Sequence, residues 1–235
     1  MSDAPETSAA LIRALLGMTF VTGLVDAVSF LSLGHIFTAN MTGNVVLLGV
    51  ATAGVPEVSV ARSLTALLAF LAGAAAGGRI LAGSSSGRVF TTFAIEGVCL
   101  AAATVSAIGY EVPAAEGHQL YSMIVLTSVA MGMRNAGVRK LAIPDLTTTV
   151  LTLTITGIAA DSSLAGGSNP RWQRRTASVF ALFAGAMLGA ICVKRSVFLT
   201  LLVATLASSL CGVVLVRCFR ESTRDMIRPD LLGGT

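Results

Sequence analysis

Apolar runs of nearly bilayer length alternate with short polar joints along this chain. The runs fall at about 11–33, 64–82, 89–109, 120–138, 176–193 and 196–216. Each is close to the ~20 apolar residues that carry an α-helix across a hydrocarbon core, so the pattern predicts six spanning helices. Two stretches depart from it: IFTANMTGNVVLLGVATA at 36–53 and PDLTTTVLTLTITGIAAD at 144–161. Both are crowded with polar residues and Gly, and both are short for a full crossing. They read as broken or re-entrant segments facing each other inside the bundle. Non-helical backbone at membrane depth survives only where protein or a water-filled cavity surrounds it.

The basic residues choose between topologies. If 36–53 and 144–161 both cross, Lys and Arg divide almost evenly between the two faces. If neither crosses, both termini lie on one side, and all Lys and Arg except Arg62, Lys194 and Arg195 fall on that side or in its helices. The positive-inside rule then makes that side cytoplasmic and predicts a multi-pass inner-membrane protein. The loop with Glu111 and Glu116 lies on the outer face, and the pair Lys194–Arg195 runs against the rule. The N-terminal MSDAPETSAA lacks the basic region of a signal peptide, so the first apolar run is expected to stay as a span.

Weak internal similarity fits the same arrangement. LAFLAGAAAGG at 68–78 resembles VFALFAGAMLG at 179–189, which aligns Ala69, Gly73 and Gly77 with Ala181, Gly185 and Gly189. GLVDA at 23–27 matches GMRNA at 132–136, which sets Asp26 opposite Asn135. The chain then divides into a polar N-terminus at 1–10, a first repeat at 11–109, a second at 119–216 and a basic tail at 217–235. Each repeat holds three spans and one polar stretch. An odd number of spans forces opposite insertion of the two halves, an inverted repeat of the transporter kind. The small-residue rows permit close helix approach and are expected to pack the two halves together; a homo-oligomeric contact is their other use.

Within 36–53, Asn40 and Thr42 are N-cap types for a half-helix through Val45–Val50, and Gly43 allows close backbone approach. Such a half-helix aims its partial positive charge at the midplane, where an anionic or polar solute is favoured. Thr38, Asn40, Thr42, Gly43 and Asn44 are therefore candidate solute-binding residues. The plainer reading is a packed polar turn. Within 144–161, Thr149, Thr152 and Thr156 share a face if the segment is helical. If it is extended, Thr152, Thr154 and Thr156 share one instead. A hydroxyl row lines a polar path or bonds back to nearby carbonyls. Asp26 and Asn135 complete the candidate set. Among ionisable residues in spans, Asp26 and Glu96 are candidates for proton or cation coupling, and Glu96 with Arg134 for a static ion pair; Arg134 otherwise snorkels to the interface.

Composition sharpens the class. Of 235 residues, 54% are hydrophobic and 12% charged, with mean hydropathy +0.82. Soluble domains carry about 25% charged residues. The net charge of +4 comes from residues flanking apolar runs, and no nucleic-acid-binding signature is present. Cys99, Cys192, Cys211 and Cys218 lack CxxC spacing and read as small buried hydrophobes. No GxSxG, HExxH or P-loop occurs, so neither an enzyme nor a metal or other cofactor is expected.

The strings GLVDAVSFLSLGHIFTANMTGNVVLLGVA at 23–51 and AMGMRNAGVRKLAIPDLTTTVLTLTITGIAAD at 130–161 resemble the YoaK family, mainly bacterial membrane proteins of unknown function. The resemblance covers nearly the whole chain, and TANMTGN with PDLTTTVLT is its specific part. It implies a small polytopic membrane protein of about six spans and supplies no substrate. The expectation is an all-α membrane protein in two inverted three-span halves. It would be a small transporter or channel for a polar or ionic solute, bound between the broken segments near the midplane of the lipid bilayer. The alternative is a structural or accessory membrane protein whose polar segments only lock helix packing.

Overall fold

The computed structural model describes residues 9–82, 86–110, 117–141 and 151–227. Its elements are helices: α1 (Ala9–Ser32), α2 (Met41–Thr52), α3 (Val60–Ile80), α4 (Ser86–Ser106), α5 (His118–Leu141), α6 (Leu151–Ala160), α7 (Trp172–Val193) and α8 (Val197–Ile227), with one 3-10 turn at Ser163–Ala165. Five of them, α1, α3, α4, α7 and α8, are long and apolar enough to cross a membrane. α5 matches α1 in length, at 24 residues each, but carries Arg134, Arg139 and Lys140 and is not among the five. α2 has 12 residues, and the described part of α6 has 10. At 1.5 Å per residue α2 reaches about 18 Å, against a hydrocarbon core of ~30 Å.

Several helix ends differ from the sequence expectation. α3 begins at Val60, because Ser59 caps it by accepting from the Arg62 amide at 3.4 Å. Arg62 therefore sits in the first helical turn and not in a loop. α7 begins at Trp172, which brings Arg174 and Arg175 into the helix. α8 continues to Ile227, so the basic tail starts as helix. The 151–160 part of the second polar stretch is helical, which removes the extended alternative there.

α1 and α5 are the inner helices. Leu15, Met18, Val21, Leu24 and Val28 of α1, and Met123, Ile124, Ala130, Met131 and Met133 of α5, are fully buried. Small residues set how closely their neighbours approach. A methyl group added at Gly73 of α3 would strike Val129 of α5, and one at Gly132 of α5 would strike the Phe70 carbonyl of α3. The α1–α7 seam repeats this geometry: Gly185 abuts Phe20, and Gly23 abuts the Leu182 carbonyl. The same constant offsets that align the sequence halves relate these two sets of contacts.

The contacts also give directions. Gly73 meets Val129 and Gly77 meets Met133, so α3 and α5 run parallel; Gly185 with Phe20 and Gly189 with Leu24 make α7 parallel to α1. α4 is antiparallel to α5, through Gly137 on Phe93 and Arg134 on Glu96, and antiparallel to α8, through Gly97 on Ser209 and Gly212 on Phe93. The Tyr110 hydroxyl just beyond α4 donates to the Ser32 carbonyl at the end of α1 at 2.7 Å. Thus α1, α4 and α7 point one way, and α3, α5 and α8 the other.

Outward faces are apolar. Leu68 and Leu71 on α3, Val98 and Val105 on α4, Phe180 and Phe183 on α7, and Leu206 and Leu210 on α8 are all exposed. Contiguous apolar surface on this scale suits lipid and not water.

Because the glycine seams leave no room for a side chain, Gly73→Leu and Gly185→Leu are each expected to destabilise the detergent-purified protein by about 1–3 kcal/mol or more. Gly49→Ala, where open space surrounds the backbone, is expected to leave stability unchanged or slightly raised. Thermal unfolding of the three variants checks this.

Candidate functional site

Between the end of α1 and the start of α2 the chain turns back and runs without helix to the level of Asp26. This stretch needs partners for its backbone, and side chains supply them. The Asp26 Oδ1 accepts from the amides of Thr38 at 3.1 Å and Ala39 at 2.9 Å. The Asn44 Oδ1 accepts from the Phe37 amide at 2.8 Å, while its Nδ2 donates to the Phe37 carbonyl. Asn40 is the N-cap of α2, accepting from the Gly43 amide at 3.4 Å. Gly43 has no positive φ; its role is steric, since a Cβ there would lie 2.7 Å from the Phe37 ring.

The tip of α2 meets the start of α6 across a cavity of about 380 Å³. Its polar lining includes Asp26, Asn40, Thr42 and Thr152, with Gly43 beside them. Five sequence-predicted residues therefore converge on one space. A second cavity of about 910 Å³ lies on the α3–α5 side and shares Ala39, Asn40 and Thr42 with the first. Asn135 lines this second cavity together with Arg139 and Lys140, and its Nδ2 donates to the Met131 carbonyl at 2.8 Å. Asp26 and Asn135 thus occupy corresponding places on opposite sides of the α2 tip.

The other candidates lie elsewhere. Thr38 and Asn44 are buried, and Asn44 is occupied by the Phe37 backbone. Thr156 is exposed on α6 and does not line either cavity, whereas Thr154 is buried. Thr149 lies outside the described residues.

Glu96 and Arg134 form the ion pair that the sequence offered as one of its readings. Arg134 is 0% exposed and Glu96 1%. Arg134 donates through Nε at 2.8 Å and Nη2 at 2.6 Å to Glu96 Oε1. Nη2 also reaches Ser208 at 2.6 Å, and Nη1 reaches the Met18 carbonyl and Thr22 at 3.2 Å each. Four helices, α1, α4, α5 and α8, meet at this one guanidinium.

Sequence reading missed the partners and not the residues. Ser208 is a lone hydroxyl in an apolar span, which is the only signal it offers. Arg175 falls just ahead of the apolar run at 176–193, where the sequence reads as a joint. Instead it donates to the Gly157 carbonyl at 2.7 Å and to Asp161 at 2.6 Å, which closes the C-terminal end of α6 with a positive charge.

Membrane-length helices with an apolar exterior, close-packed glycine seams and a buried ion pair define a polytopic helical membrane protein. The chain belongs to the family described as "Protein of unknown function (DUF1275)", whose pattern matches residues 14–214. It is similar to the UPF0700 transmembrane protein YoaK of Bacillus subtilis (strain 168), with 36% identity over 162 residues, or 67% of this chain and 70% of that protein. No solved structure matches. The family resemblance read from TANMTGN and PDLTTTVLT therefore holds.

Removing one partner of a buried ion pair costs about 3–5 kcal/mol, whereas replacing both with apolar groups costs far less. Arg134→Leu is expected to destabilise the protein by that amount, and the Arg134→Leu/Glu96→Leu double variant by clearly less than the two single changes combined. Unfolding of the purified proteins measures the cycle; additive losses would contradict a coupled pair.

Proposed function

We propose that this protein is a small transporter or channel for a polar or ionic solute, and not an enzyme. In this reading six helices span the inner membrane in two inverted halves, both termini are cytoplasmic, and α2 and α6 enter from opposite faces without crossing. The observation that carries the reading is the cavity in which Asp26, Asn40 and Thr42 of the first half face Thr152 of the second. Polar side chains gathered on a cavity between two interrupted segments are the usual form of a transporter site.

The helix directions support the re-entrant part. α1 and α3 run opposite ways on either side of α2, as do α5 and α7 on either side of α6. Neither short helix is then needed as a crossing. With these directions Arg62, Lys194 and Arg195 lie at one end of the bundle. Arg13, Arg79, Arg88, Arg139, Lys140 and the basic residues of 171–175 lie at the other, in agreement with cytoplasmic termini.

A second reading has its own observation. Asp26 Oδ1 and both polar atoms of the Asn44 side chain are bonded to backbone groups, which is what a purely structural or accessory protein would require of them. Flux separates the two. Proteoliposomes holding the purified protein are expected to take up at least one solute from a broad panel of ions and polar metabolites. Asn40→Ala is expected to lower that uptake about tenfold, equivalent to ~1.4 kcal/mol at the barrier. Absence of flux across the panel supports the accessory role and removes the transport one.

A further inference from the structure

The sequence leaves open which charge the site receives, because a half-helix tip favours an anion while Asp26 and Glu96 favour a cation. The described interactions resolve the conflict. Glu96 is taken by Arg134, and Asp161 by Arg175. The amides ahead of α2 already have a resident anion, since Asp26 Oδ1 accepts from Thr38 and Ala39. That carboxylate supplies the negative charge that a bound solute would otherwise bring to this tip. The backbone of Asn40 also approaches this carboxylate. Asp26 is also the only ionisable side chain among the described residues lining the smaller cavity.

The hydroxyls beside it point to the same chemistry. Elsewhere in the bundle Thr19, Thr104, Thr127 and Thr205 donate to the carbonyl four residues back. Thr42 stands second in its helix, where no carbonyl of that helix lies four residues behind. Neither hydroxyl has a partner among the described residues, and both line the cavity. The space therefore brings one carboxylate and two hydroxyl oxygens to a common lining. One carboxylate with two hydroxyls carries a single negative charge, which matches a singly charged cation.

We propose that the cavity between the α2 tip and α6 binds a monovalent cationic group, an alkali ion or a protonated amine, through Asp26 with Thr42 and Thr152. This assignment rests on the transport reading for its purpose but not for its test. The probes are sodium, potassium and methylammonium chlorides, titrated against N-methylglucamine chloride at constant ionic strength, with thermal unfolding of the full-length purified protein as readout. One cation is expected to raise the midpoint saturably, as a ligand of the folded state does. Gluconate in place of chloride is expected to change nothing. A response to sodium or potassium identifies an inorganic cation, and one to methylammonium alone identifies an amine.

Asp26→Asn keeps an acceptor for the neighbouring amides while removing the charge, and is expected to weaken the apparent affinity about tenfold or more, which corresponds to ~1.4 kcal/mol. Thr152→Val leaves Asp26 and its bonds in place and is expected to weaken binding several-fold, so it carries the test if the Asn variant does not fold. A midpoint that follows the anion, no response to any of the three cations, or wild-type affinity in a folded variant overturns the proposal. Cation binding without flux leaves it standing and removes transport. Flux of an anionic or neutral solute without a cation response does the reverse.

Discussion

Backbone amides that leave a helix inside a packed bundle must find acceptors, and the interrupted segment before α2 depends on that constraint. An unpaired buried amide costs several kcal/mol. Asp26 meets this need for Thr38 and Ala39, Asn44 meets it for both backbone groups of Phe37, and Asn40 caps the helix that follows. Because side chains hold the break, the α2 tip stands at the level of Asp26 beside a cavity and does not continue α1 as one helix. The residues that secure the fold here and those that face the cavity are partly the same: Asp26 and Asn40 both hold the backbone and line the cavity.

The surrounding frame is rigid for separate reasons. Glycine seams bring α3 onto α5 and α7 onto α1 at backbone contact distance, as small residues do where apolar burial gives helices no reason to prefer each other over lipid. The Arg134–Glu96 pair joins four helices in the interior. A buried ion pair adds little net stability by itself, but it penalises any arrangement that separates the partners. The frame thus fixes the inner helices, while α2 and α6 each pack mainly on one neighbour, α3 and α7 respectively.

Much of this frame was legible in the residues. Apolar run length gave the long helices, the Ala69/Gly73/Gly77 and Ala181/Gly185/Gly189 rows gave the seams, and Asn40 gave the start of α2. What was hidden depended on tertiary partners. Nothing near Arg175 in sequence shows that it will close α6 through Gly157 and Asp161. Asn44 looks like a solute contact until Phe37 is seen folded back against it. The Thr–Leu alternation at 151–156 is as good a strand pattern as a helical one; an isolated strand at membrane depth leaves its amides unpaired, and a helix does not. Ser208 completed the ion pair from a helix whose sequence marks it only as one hydroxyl among apolar neighbours.

The central claim is that the two short helices enter from opposite faces and return to the face they left. Single cysteines at His35 and Glu57 flank α2, and at Lys140 and Leu164 flank α6; all four positions are exposed. In a background with Cys99, Cys192, Cys211 and Cys218 replaced, an impermeant thiol reagent added to one side of oriented vesicles reads their sidedness. The account predicts that His35→Cys and Glu57→Cys react from the same side, and Lys140→Cys and Leu164→Cys from the other. Reaction of His35→Cys and Glu57→Cys from opposite sides would make α2 a crossing helix and contradict it.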